Sequence, residues 1–143
     1  MPAFRLKGLD HIVLRVRDMA RMTRFYRSVL GCTVARRRPD LGLIHLRAGT
    51  TMIDLIDLKG RLGKIGGAAP KPRLTQGGRN LDHFCLQIEP FDEKAIRRHL
   101  TRRKVAVGEV GQRFGAEGTG PSLYLTDPEG NVVELKGPAE RPD

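Results

Sequence analysis

The chain has 143 residues, an apolar share of 39%, and 26 Lys and Arg against 16 Asp and Glu, a formal charge of +10. Size and apolar content allow one compact domain or two tightly joined modules and exclude a disordered chain. Two distant cysteines, Cys32 and Cys85, make no disulfide framework, and no apolar run nears the roughly 20 residues of a membrane span.

Residues 9–16, Leu-Asp-His-Ile-Val-Leu-Arg-Val, read as a strand with Ile12, Leu14 and Val16 on one face and His11, Val13 and Arg15 on the other. Asp18 offers an N-cap, Met19, Met22, Phe25, Tyr26, Val29 and Leu30 follow at helical spacing, and Gly31 stops the helix. Strands are expected over 32–38, 41–48 and 51–57. Residues 58–80 form a connector rich in Gly, Pro and basic residues, a lid, an arm or a tether. Leu-Asp-His then returns at 81–83, with His83 standing 72 residues after His11. A strand over 81–88 leads to a helix from Pro90 to about Arg103, a strand over 105–114, a glycine-rich turn at 115–120, a strand through Leu123 and Leu125, a turn at 127–131 and a last strand over 132–136. The order strand, helix, strand, strand, strand thus occurs twice, over 8–57 and 81–137, in one α+β domain, 1–143, with the helices on one side of a curved sheet.

Each half also closes on a like phrase, Ile53-Asp54-Leu55 and Val133-Glu134-Leu135. Strand parity puts His11, Asp54, His83 and Glu134 on the face opposite the helices. Two imidazoles and one or two carboxylates suit Zn, Ni, Co, Mn or Fe, with positions left open for substrate. A metal of that kind can hold two adjacent substrate oxygens while a carboxylate moves a proton. Arg15, His45, Arg47, Gln87 and Tyr124 share the face and can contact an anionic group; a polar wall is an equal reading for each, and a structural role is the leading one for His45. Cys85, of the same parity, reads as a small filler. The positive charge fits a small anionic substrate or an Arg-rich solvated surface. With no Trp and no recognition motif, nucleic acid is not an expected partner. A strand pattern begins close behind Met1, with no signal-peptide core, so a cytoplasmic protein is expected.

These residues resemble the vicinal oxygen chelate superfamily, which includes glyoxalase I, methylmalonyl-CoA epimerase, fosfomycin-resistance thiol transferases, extradiol dioxygenases and bleomycin-binding proteins. The likeness spans about residues 8–137 and lies in Leu9-Asp10-His11-Ile12-Val13-Leu14, Phe25-Tyr26, Val29-Leu30-Gly31, Leu81-Asp82-His83 and Tyr124 through Leu135. It implies a fold of two tandem βαβββ modules whose curved mixed sheet forms a cup with helices outside, that His11, His83 and Glu134 match the family's metal triad, and that Asp54 stands where glyoxalase I has a fourth, longer carboxylate. It also implies that Arg15 stands where bacterial glyoxalases contact glutathione, and that a homodimer is expected. The leading expectation is a metal-dependent lyase or isomerase resembling glyoxalase I, which stabilises an enediolate-type intermediate with Glu134 as proton shuttle. The competing readings are an Fe(II) extradiol-type dioxygenase, a fosfomycin-type thiol transferase, and a non-catalytic protein that sequesters a small molecule.

Overall fold

Apolar residues at every second position of a strand, and at every third or fourth of a helix, set which surfaces meet. The computed structural model describes residues 3, 5, 7–67 and 81–141. The chain divides into two units, Met1–Ala69 and Pro70–Asp143.

In the first unit the order is β1 (His11–Val16), α1 (Met19–Ser28), β2 (Thr33–Arg38), β3 (Leu43–Ala48), β4 (Thr51–Asp57) and the short α2 (Arg61–Ile65). The strands form one mixed sheet, β1-β4-β3-β2, with β1 and β4 parallel and the other pairs antiparallel. Asp18 caps α1 by accepting the Arg21 N–H, as its position before the apolar stripe requires. Met22, Phe25, Tyr26 and Val29 are buried with Leu14, Val16, Ile44, Leu46, Ile53 and Leu55 from the sheet. Gly31 ends the helix at φ +78, a conformation that costs a residue with a Cβ.

The second unit repeats the scheme with β5 (His83–Gln87), α3 (Glu93–Arg102), β6 (Val110–Gly115), β7 (Gly118–Thr126) and β8 (Val132–Lys136). Its sheet order is β5-β8-β7-β6, with β5 and β8 parallel. The buried apolar residues are Leu100 of α3 with Leu123, Leu125, Val133 and Leu135.

Beyond shifts of one or two residues at the ends of β1, β2, β3 and β5, four departures from the sequence reading stand out. α3 starts at Glu93, not Pro90, because the Asp92 carboxylate accepts the Ala95 N–H and nucleates the helix there. Residues 105–109 lie outside any strand, and β6 begins at Val110. The glycine-rich stretch is tighter than expected: the turn is Ala116–Glu117, and Gly118 already opens β7. The connector, read as loop from 58, holds α2, which sits close to the end of β4. A Cβ on Gly63 would collide with the Asp57 carbonyl, so only glycine fits that approach. Residues 68–80 of the connector fall outside the described residues. Among the described residues no helix is long and apolar enough to cross a membrane.

Candidate functional site

In the first unit, register settles which side chains share a face. Val13 is opposite Asp54 and Asp54 is opposite His45, so His11, Arg15, His45, Arg47 and Asp54 all project from the sheet face away from α1. Asp54 is almost fully buried, which is unusual for a carboxylate without a firm partner. His45 Nδ1 lies 3.0 Å from Asp54 Oδ1, yet their orientation makes no hydrogen bond, and that oxygen has no other hydrogen-bond partner. A buried, orphaned carboxylate oxygen of this kind suits an electrophile, and a divalent cation fits it.

His11 is about half exposed at the start of β1. Its Nδ1 is 2.7 Å from Asp10 Oδ1, and since an ionised carboxylate can only accept, Nδ1 donates. That hydrogen bond, aided by the Asp54 charge, holds the His11 pKa above its usual value. It also leaves Nε2 with its lone pair free in the neutral ring. Arg15 is committed elsewhere: its Nη2 donates to the carbonyls of Gly63 at 3.0 Å and Gly67 at 2.7 Å, which ties α2 and the chain after it to β1. Arg47 is exposed on β3.

In the second unit, Cys85 and Tyr124 are both opposite Glu134, and His83 shares their face. Glu134 is buried, and its Oε1 lies 3.3 Å from His83 Nε2. His83 Nδ1 is 2.7 Å from Asp82 Oδ2, the same arrangement as Asp10 and His11. In each copy of Leu-Asp-His the carboxylate fixes the ring through Nδ1 and leaves Nε2 as the nitrogen that can ligate, the pattern by which proteins prepare an imidazole for a metal. Sequence reasoning did not assign these two aspartates a role, although both sat in the repeated phrase. The His83 and Tyr124 rings meet edge to face at 5.4 Å, and the Arg113 guanidinium lies 4.5 Å from the Tyr124 ring centre. Arg113 is held there by hydrogen bonds from Nη1 to the Ser122 carbonyl and hydroxyl. Burial first, and the Glu134 charge next, raise the Tyr124 pKa, so its hydroxyl is a proton donor at neutral pH. Burial and then Glu134 push the Cys85 thiol up to about 11, which keeps it protonated and unsuited to ligate. Gln87 donates to Glu117 Oε1 at 3.0 Å.

The structure thus pairs Asp54 with His45 in one unit and Glu134 with His83 in the other. Among the described residues no three His, Cys, Asp or Glu side chains are grouped closely enough to hold a metal ion. The chemistry of each half-site nonetheless fits one: an imidazole fixed through Nδ1 in each unit, a buried carboxylate oxygen without a hydrogen bond in the first, and a carboxylate and an imidazole at ligand–ligand spacing in the second.

Comparison with known proteins bears on the fold and the family. The chain is 26% identical over 141 residues to the mitochondrial methylmalonyl-CoA epimerase of Bos taurus, covering 94% of this chain and 77% of the epimerase. An integron cassette protein from the V. Cholerae mobile metagenome superposes with a TM-score of 0.70 at 29% identity, over 94% of this chain and 97% of that one. Lactoylglutathione lyase from Agrobacterium tumefaciens shares the fold, with a TM-score of 0.64 at 20% identity over 92% of this chain and 94% of that one. The model of the Glyoxalase/Bleomycin resistance protein/Dioxygenase superfamily matches residues 8–135, nearly the whole chain, and the protein belongs to that superfamily.

Proposed function

We propose that the chain is a divalent-metal enzyme, an isomerase, epimerase or lyase, that moves a proton at a carbon beside a carbonyl of a small anionic substrate. His11, Asp54, His83 and Glu134 are the proposed metal ligands, and Glu134 is the proposed catalytic base. The observation that carries the reading is the Glu134–His83 pair: a buried carboxylate 3.3 Å from an imidazole whose other nitrogen is fixed by Asp82. A bound divalent ion would supply Lewis-acid stabilisation of negative charge developing on two adjacent substrate oxygens.

This chain's residues would do the rest. Glu134, with little water around it, would take and return the proton. Tyr124, opposite it and protonated at neutral pH, would donate a hydrogen bond to a substrate oxygen. His45, whose Nδ1 lies 3.0 Å from Asp54 Oδ1, would steady the Asp54 carboxylate. The epimerase likeness supports proton transfer at carbon more directly than ring cleavage or thiol addition. Assembly as a homodimer belongs to the same reading, and sedimentation of the pure protein tests it.

The test is proton exchange at carbon. Metal-supplemented protein is incubated in D2O with methylmalonyl-CoA or with the methylglyoxal–glutathione adduct, and NMR follows the carbon-bound proton beside the carbonyl. Enzyme-dependent exchange that Glu134→Gln abolishes is the expected result. Exchange equal to the protein-free rate for both, beside cleavage of a catechol or opening of an epoxide, would overturn the reading.

A further inference from the structure

One charged side chain on the Glu134 face has no place in the chemistry above. Lys136 is only 5% exposed, although lysine is among the residues least often buried without a partner. It follows Glu134 by two residues on β8, so both project from the same face. They turn to opposite sides of that strand. β8 lies between β5 and β7, and the Glu134 carboxylate reaches His83 on β5. The Lys136 side chain crosses β7 towards β6, where an added Cβ on Gly115 would come within 2.8 Å of its Cε and 3.6 Å of its Nζ. The missing Cβ at Gly115 gives the lysine its path, while at Gly120 the backbone of Pro138 and Ala139 fills the place a Cβ would take.

The ammonium makes no ion pair among the described residues, although Gln87, opposite Lys136 on β5, reaches the Glu117 carboxylate. It is not sealed off either: among the described residues the enclosed side-chain polar atoms without partners are Arg15 Nε, Thr23 Oγ1 and Asp54 Oδ1. Nearby, Arg113 adds a second fixed positive charge, with Nη1 spent on Ser122 and Nη2 3.4 Å from Glu109. A buried cation without an ion pair, with a second cation held close by, is a poor structural element and a good oxyanion receptor.

We propose that Lys136, backed by Arg113, is the subsite for an oxyanion of the substrate, a carboxylate or a phosphate or phosphonate group. The proposal deepens the metal-enzyme reading and rests on it only for what happens at Glu134. It makes the substrate a molecule whose charged group lies a few bonds from the carbon that loses its proton. It also moves the anion-binding role from Arg15, whose donors hold α2, to β8 of the second unit.

The test uses the full chain, freed of metal by chelation and labelled with 15N, titrated with oxalate in one arm and methylphosphonate in the other at moderate salt. Saturable amide shifts centred on Gly115, Ser122 and Lys136 are expected. Lys136→Gln should weaken them at least tenfold, Lys136→Arg should retain them, and Arg98→Gln on the α3 surface should leave them unchanged. The arm that saturates at lower concentration identifies the oxyanion class. Lys136→Met keeps the apolar stem should the glutamine variant fail to fold. Shifts spread over the basic surface and indifferent to Lys136, or no saturable shift in either arm, would overturn the proposal. Metal uptake by Lys136→Gln is measured separately. Loss of anion binding with metal uptake intact implicates the subsite alone, whereas a wild-type chain that takes up no metal but binds the anion at Lys136 removes the metal reading and leaves the subsite standing.

Discussion

The two units carry the same Asp-His phrase and the same carboxylate strand, but they have diverged in opposite directions. The first is the better packed: Leu14, Val16, Met22, Phe25, Tyr26, Val29, Cys32, Ile44, Leu46, Ile53 and Leu55 are buried there, against Leu100, Leu123, Leu125, Val133 and Leu135 in the second. The second carries the more developed chemistry. Its carboxylate is the longer Glu134, already 3.3 Å from His83, and its face adds Tyr124, Arg113 and Lys136. In the first, Asp54 is shorter and faces His45, and the strand cation Arg15 is spent on backbone carbonyls. On the proposed reading the first unit serves mainly as scaffold and ligand donor, while the second carries the reactive groups.

Substitutions break the comparison most sharply at the carboxylates. Glu134→Gln should lower turnover by about 10²–10⁴, the range of a lost general base, while Asp54→Asn mainly weakens metal binding; steady-state kinetics on the exchange substrate separates them. Equal loss of turnover in both would contradict the division of labour. Next come the cores. Leu46→Ala should cost towards the upper end of about 2–5 kcal/mol and Leu125→Ala towards the lower end, because the thinner second core collapses more readily around a lost side chain. Urea unfolding measures both, and the reverse order would contradict the packing contrast.

The second-sphere aspartates should matter alike in both units. Asp10→Asn and Asp82→Asn are each expected to weaken metal affinity by about 10–100-fold. In the metal-free protein, Asp10→Asn should also bring the raised His11 pKa back down, seen by NMR titration of the ring. The smallest effect is at the helix starts. Asp18→Ala and Asp92→Ala each remove one side-chain hydrogen bond to an N-terminal N–H and should cost about 1 kcal/mol apiece by thermal or urea unfolding.

Much of this was legible in the chain itself. The limits of β4 at Thr51 and Asp57, the Asp18 cap and the parity of His11, Asp54, His83 and Glu134 follow from alternation and turn chemistry. What escaped depended on contacts between distant residues. α2 contains Gly63, which lowers helix propensity, and forms where that glycine fits against the end of β4. The contact of His45 with Asp54 needs the register of β3 on β4, and no local pattern carries it. Lys136 has the parity of Glu134, so its face was readable, but its burial and its direction across β7 were not. The Asp10 and Asp82 carboxylates were visible as a repeat; their role became clear only from the two Nδ1 hydrogen bonds.

The most direct test of the central claim is the metal content of the pure, full-length chain after exposure to Ni, Zn, Co, Mn or Fe and removal of free ion. Near-stoichiometric metal that is lost from His11→Ala and from His83→Ala alike is the predicted result. No uptake, or full retention in His11→Ala beside loss in His83→Ala, would contradict a site that draws on both halves of the repeat.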